Sequence, residues 1–179
     1  MKKYFFLILT IVFIGTSQNT VAQKKAKLKD FNALNTFEAN EWLTGNFDIS
    51  NAFVEIYNTH GSKKQFKKQL INFAGFDLDK IYWLATYSND DYYNEIKDEN
   101  LSFELYKYGI AISKNAEENE QIRFLYVVGK AYYFKGEKEK SLEYLIPAYK
   151  LSQKHPGNVP TWNSLEEAEE ISAFIKRNL

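Results

Sequence analysis

Histidine is the first residue type to examine for chemistry, because imidazole serves both proton transfer and metal binding. The chain has two: His60 in Asn-Thr-His-Gly and His155 in Lys-His-Pro-Gly. Both are turn contexts, and neither belongs to a His-Glu-x-x-His or comparable ligand spacing. They read as solvated loop residues. Asp77-Leu78-Asp79 and Asp90-Asp91 carry oxygen donors suited to calcium, but the loop pattern D-x-[DN]-x-[DN]-G is missing. Asp77 and Asp79 are better placed to open a helix containing Trp83. Glu166, Glu167, Glu169 and Glu170 would supply carboxylates for acid–base work, yet they begin a helical segment, where the macrodipole favours negative charge. Cysteine is absent, which excludes thiolate metal sites, disulfide frameworks and cysteine nucleophiles. No Gly-x-Ser-x-Gly, P-loop or dinucleotide fingerprint occurs. The expectation is a protein that is not an enzyme and uses no cofactor and no metal.

The balance of 23 basic and 23 acidic side chains argues against a nucleic-acid partner, which requires a basic surface to neutralise phosphates. A 45% hydrophobic, 17% aromatic composition rules out a disordered chain. Its 179 residues suit one domain or a short helical array with a real core.

The first segment reads as an address. Lys2 and Lys3 precede an apolar run from Tyr4 to Ile14 that only Thr10 interrupts, and Thr20-Val21-Ala22 follows a polar stretch. This is the layout of a secretory signal peptide over 1–22, cleaved before Gln23. The apolar run covers about half of the roughly 20 residues needed to cross a bilayer, so no stable membrane insertion is expected after cleavage. Processing would leave 157 residues with 21 basic and 23 acidic groups, a net charge of −2, in a periplasmic or secreted protein. Residues 23–30, with four lysines and little to bury, form a flexible basic lead-in.

Residues 31–179 read as a single all-helical domain. Three prolines in this span and few alternating β-branched runs favour helices over strands. Ser62 with Gln65, and Ser164 with Glu167, form capping boxes ahead of apolar stripes. Ser50 precedes Phe53, Val54 and Tyr57, the stripe of a helix ending at Gly61. Asn115 with Glu118 opens the face Ile122, Leu125, Val128, Gly129, Tyr132, which Gly136 is placed to stop. Leu142, Leu145, Ala148, Tyr149 and Ser152 form the next stripe.

Residues 122–155 resemble a tetratricopeptide repeat, a unit of about 34 residues made of two antiparallel helices. The match lies in Leu125, Val128, Gly129 and Tyr132 on the first helix, Gly136 at the turn, and Ser141, Leu145 and Ala148 on the second. Small residues at 129, 141 and 148 let two backbones approach. Pro147 departs from the pattern and should bend the second helix around Glu143. A degenerate copy spans about 80–114, its first helix running from Ile81 through Tyr92 with Asn89-Asp90-Asp91 interrupting the apolar face. The resemblance implies an all-α, right-handed solenoid of antiparallel helix pairs, closed by a capping helix from Ser164 to Leu179. In this family the first helix of each pair lines a concave groove. Carried over by position, the groove side is Arg123, Tyr126, Lys130 and Tyr133 in the clear unit, with Trp83 and Tyr93 from the degenerate one. The expected function is protein–protein interaction, as an adaptor or assembly factor that binds a protein or peptide. The alternative is a glycan-binding module whose exposed Tyr and Trp faces stack on sugars beside Asn and Asp in the stretch 83–91. A hydrolase working through acidic pairs has no motif behind it.

Overall fold

The computed structural model describes residues 28–59, 63–90, 92–116, 118–155 and 165–179. The signal-peptide segment, lead-in residues 23–27, His60, the Ser62 and Ser164 capping boxes, Asp91, Pro156 and Pro160 lie outside them. The fold is all-α. Among the described residues a 3-10 helix (Leu28–Thr36) is followed by α1 (Ala39–Thr44), α2 (Phe47–Thr59), α3 (Lys63–Ala74) and α4 (Leu78–Tyr87). Then come α5 (Glu99–Ser113), α6 (Glu118–Phe134), α7 (Lys138–Lys154) and α8 (Leu165–Arg177). The last three residues of the expected lead-in thus open the first helical turn. An isolated bridge between Asn89 and Lys97 is the extended pairing seen among the described residues.

Local chemistry explains most boundaries. Asp77 caps α4 by accepting from the Lys80 N–H at 3.0 Å. Gly136, at φ +80°, ends α6 in a Schellman motif. The Gly136 N–H donates to Tyr133 and the Glu137 N–H to Tyr132, both at 3.0 Å. Elsewhere the elements differ from expectation. Helix α2 starts three residues before Ser50, because the Asn46 side chain accepts from the Asp48 N–H at 2.6 Å and caps the first turn. Ser50 is then buried inside the helix, where its Oγ accepts from Asn94. Helix α6 begins at Glu118, and Asn115 belongs to the turn leaving α5. Helix α4 stops at Tyr87 instead of running through Tyr92. Helix α7 passes continuously through Pro147. Pro147 and Glu143 both face solvent, so water can hydrate the carbonyl that the proline leaves unbonded.

Helices α6 and α7 form a close pair. Ser141 Oγ donates to the Gly129 carbonyl at 2.9 Å in a buried setting. A Cβ built on Gly129 would lie 2.7 Å from Leu145 Cγ and 3.1 Å from the Leu145 backbone nitrogen. Helices α5 and α6 meet as closely at Gly109, where the Phe124 ring occupies the space of a side chain.

Helix α6 serves two cores. Phe124 and Val128 join the larger one, which runs back through Leu105, Tyr87, Leu84, Phe66 and Phe53 to Phe31. Leu125, Tyr126 and Tyr133 join a smaller one with Leu145 and Ala148 of α7 and Ile171 and Ile175 of α8. At the other end Phe31 stacks on Phe66 and Phe73, with centroids 5.7 and 5.6 Å apart.

Asp98 ties the start of α5 to α2. Its carboxylate accepts from the Leu101 N–H at 3.1 Å and from the Tyr57 hydroxyl at 3.0 Å, and the residue is buried. Asp98→Ala is therefore expected to cost about 1–2 kcal/mol, combining a lost helix cap with the lost Tyr57 hydrogen bond. Denaturant unfolding checks this; an unchanged midpoint would show that the cap contributes nothing.

Candidate functional site

The four α6 residues expected to line a groove do not share an open face. The Arg123 guanidinium binds Asp79 at 2.8 Å and Glu120 at 2.9 Å, and lies over the rings of Tyr82 and Phe124. It fastens α6 to α4. Lys130, half-buried, lies 5.9 Å from the Tyr126 ring centroid. Tyr126 and Tyr133 are only 3% and 7% exposed. They are interior residues, and the expectation that they form a binding groove is corrected. The physical reason is α8. Its apolar stripe, Ile171, Phe174 and Ile175, buries itself on that side of α6 and α7. The Tyr133 and Phe174 rings sit 4.9 Å apart, and the Tyr133 hydroxyl donates to Glu170. That bond, followed by burial, holds the phenol above its ordinary ionisation range.

Trp83 and Tyr93, the other two expected residues, do come together at a surface. The Trp83 indole N–H donates to the Leu43 carbonyl at 3.3 Å. Its ring lies where Gly45 would carry a side chain, with a built Cβ 2.7–2.9 Å from three ring atoms. Gly45 also has φ +76°, so this corner admits only glycine on two counts. Trp83 stacks on Tyr87 at 5.8 Å and meets Tyr93 edge-on at 5.6 Å. Tyr93 in turn touches Phe47 and Tyr92, each 5.0 Å away. Around this half-buried pair stand Leu43, Phe47 and Tyr92, which are 59%, 52% and 74% exposed.

Polar side chains hold the loop between α4 and α5 in place. Asp90 Oδ1 accepts from the Tyr92 N–H at 2.6 Å, an Asx turn that breaks the helical path. Asn94 donates to Ser50 Oγ at 2.8 Å and to the Tyr87 carbonyl at 2.9 Å, while its carbonyl oxygen accepts from the Ile96 N–H. The Asp98 N–H closes the loop on the Ser88 carbonyl at 2.8 Å. Tyr92 and Tyr93 are thereby presented on a pinned loop. Leu43 and Phe47 escaped the sequence reading, because their place in the patch depends on a contact 40 residues away. The available signal was local: two tyrosines directly after Asp90-Asp91, in a turn too short to bury both.

Beneath the patch Tyr87 is fully buried. Its hydroxyl accepts from the Asn46 N–H at 3.0 Å and donates to the Asn46 carbonyl at 3.3 Å. Burial pushes its ionisation up to about 12, and the hydrogen bond to Asn46 only partly offsets this. Tyr106, paired with Thr86 Oγ1 at 2.9 Å, is pushed up by burial as well. A phenol with a raised folded-state pKa stabilises the fold fully below its unfolded value near 10, and this contribution disappears as pH rises towards 12. Tyr87 is expected to contribute on the order of 1–3 kcal/mol of that loss. Stability measured by denaturant at stepwise pH should fall across this window, and Tyr87→Phe should flatten the fall. An unaltered pH profile in the variant would rule Tyr87 out as the cause.

Elsewhere, His155 Nε2 lies 3.3 Å from Glu118 on an exposed face, and together with Lys154 it holds that carboxyl below its ordinary range. Among the described residues no three or more His, Asp or Glu side chains gather as a metal site, and no helix is long and apolar enough to cross a membrane. No protein-family model, no curated protein and no solved structure matches this chain.

Proposed function

We propose that this chain is an exported, non-enzymatic protein of helical-repeat type that binds another polypeptide, as an adaptor or assembly factor in an envelope complex. The observation that carries the reading is the patch of Leu43, Phe47 and Tyr92, exposed apolar side chains gathered around Trp83 and Tyr93. Tyr, Trp and Phe are enriched in recognition surfaces, where rigid rings give contact area at low entropic cost. The repeat-like relation rests on the small residues Gly129, Ser141 and Ala148 between α6 and α7. Export rests on the order of Lys2-Lys3, apolar run and Thr20-Val21-Ala22.

A polypeptide suits the patch better than a glycan. Sugar recognition needs flat ring faces with free amide or carboxylate partners beside them. Here the Asn94 side chain is bonded at both ends, to Ser50 of α2 and to the Ile96 N–H, Asp90 holds the Tyr92 N–H, and the rings meet edge-on at 78° and 83°. The test is site-specific photo-crosslinking in the native host, with the probe at Tyr92 and, as control, at Phe134, which is 59% exposed at the end of α6 and outside the patch. A defined protein adduct from position 92 and none from 134 is expected. Equal labelling from both, or oligosaccharide binding that Tyr92→Ala removes, would defeat the reading.

A further inference from the structure

Charge along this chain is segregated. Between Lys29 and Lys63 there are five acidic residues and no Lys or Arg. Between Lys80 and Lys97 there are three acidic residues and again none basic. These two stretches supply every ring of the exposed patch, although the chain as a whole is neutral. The carboxylates follow the rings closely. Glu41 Oε1 lies 3.5 Å from the Asn46 side chain, next to Phe47, and Asp48 follows Phe47 directly. Asp90 holds the Tyr92 backbone, and Glu95 stands exposed two residues beyond Tyr93. Of the cations on the adjoining elements, Lys80 of α4 lies 3.6 Å from Asp77 and over the Phe73 ring, Arg123 of α6 is held by Asp79 and Glu120, and Lys97 closes the α4–α5 loop opposite Asn89.

We infer that this face binds a cationic polypeptide segment in which Arg or Lys alternates with apolar side chains, its guanidinium groups lying over Tyr92 and Phe47 between the carboxylates. The inference rests on the polypeptide-binding reading above and adds the chemistry of the partner. An aromatic face attracts a guanidinium through its quadrupole, and Arg stacks on such faces while its N–H groups reach flanking carboxylates. The apolar residues of the segment would cover Leu43 and the Trp83–Tyr93 edge. The same acidic rim repels phosphates and anionic lipid headgroups, and it steers a cationic chain inward at low salt.

The test is calorimetry on the full-length chain with a short synthetic peptide alternating arginine and leucine, beside matched peptides carrying glutamine or glutamate for arginine. The arginine peptide should bind, and more weakly as salt rises. Tyr92→Ala should weaken it about tenfold, as should the double variant Asp48→Asn, Glu95→Gln, if ring and rim each act as a binding hot spot. These side chains face solvent, so melting should be unchanged, and Phe134→Ala should leave binding intact. Equal affinity for the glutamine peptide, still lost in Tyr92→Ala, would overturn the cationic inference and leave the polypeptide reading standing. Binding indifferent to both patch variants would also overturn it. Failure of all three peptides, with oligosaccharide binding that depends on Tyr92, would overturn both.

Discussion

Replacing Tyr126 and Tyr133 together with alanine is expected to destabilise the protein by about 4–6 kcal/mol and to release α8 before the rest of the fold. Each ring is almost wholly buried, and a buried aromatic cut back to alanine typically costs about 3–5 kcal/mol from lost transfer energy and the cavity left behind. The two sites share one cluster with Leu145, Ile171 and Ile175, so their effects should add to less than the sum. Domains of this size hold only about 5–15 kcal/mol of net stability, and the double variant approaches that limit. Helix α8 should yield first, because its apolar stripe packs against this cluster and the Tyr133 hydroxyl reaches its Glu170. Hydrogen exchange resolved by segment, with calorimetric melting, reads both effects. A variant that melts like the parent but has lost its partner would restore these tyrosines to a binding groove.

Gly109→Ala is expected to cost about 2 kcal/mol, against the direction that helix propensity predicts. Inside a helix, alanine is favoured over glycine by about 1 kcal/mol. At this position, however, the added Cβ would lie 2.2 Å from Phe124 Cε1 and 2.3 Å from Cδ1. Phe124 is fully buried, and Tyr82 and Tyr106 meet it edge-on at 6.0 and 6.3 Å, so the ring has little room to move. Overpacking of this kind costs about 1–3 kcal/mol, occasionally more. Alanine at Gly129 should also be costly, since its Cβ would meet Leu145 Cγ at 2.7 Å and the Leu145 backbone nitrogen at 3.1 Å, and Leu145 is fully buried. Phe124→Leu in the Gly109→Ala background should recover part of the loss, because the smaller side chain clears the contact. If Gly109→Ala raises the melting temperature, α5 and α6 do not approach as closely as described.

Both expectations turn on α6, which also marks the limit of reading this chain by pattern. The helical class, the stop at Gly136 and the small residues at 129, 141 and 148 were legible because each depends on local chemistry. Apolar spacing sets a helical period, a glycine at positive φ ends a turn, and close-packed backbones exclude side chains. The Asp77 cap of α4 was legible for the same reason. The side of α6 that faces water was not. A helix packed between two cores is apolar around most of its circumference, so its periodicity no longer separates interior from surface. Tyrosine adds to the ambiguity, because it serves equally in a core and at an interface.

The sequence by itself determined an all-α chain, the Asp77 cap, the Gly136 stop and the close contact of α6 with α7, since these follow from local chemistry and from small residues on two consecutive helices. Only the tertiary structure decided that α8 covers Tyr126 and Tyr133, and that Leu43, Phe47, Trp83, Tyr92 and Tyr93 form one exposed patch. That patch depends on the Trp83 indole reaching the Leu43 carbonyl and on its ring filling the space above Gly45. Contacts across 40 residues leave no periodic trace along a chain, because they are set by where whole helices come to rest against one another.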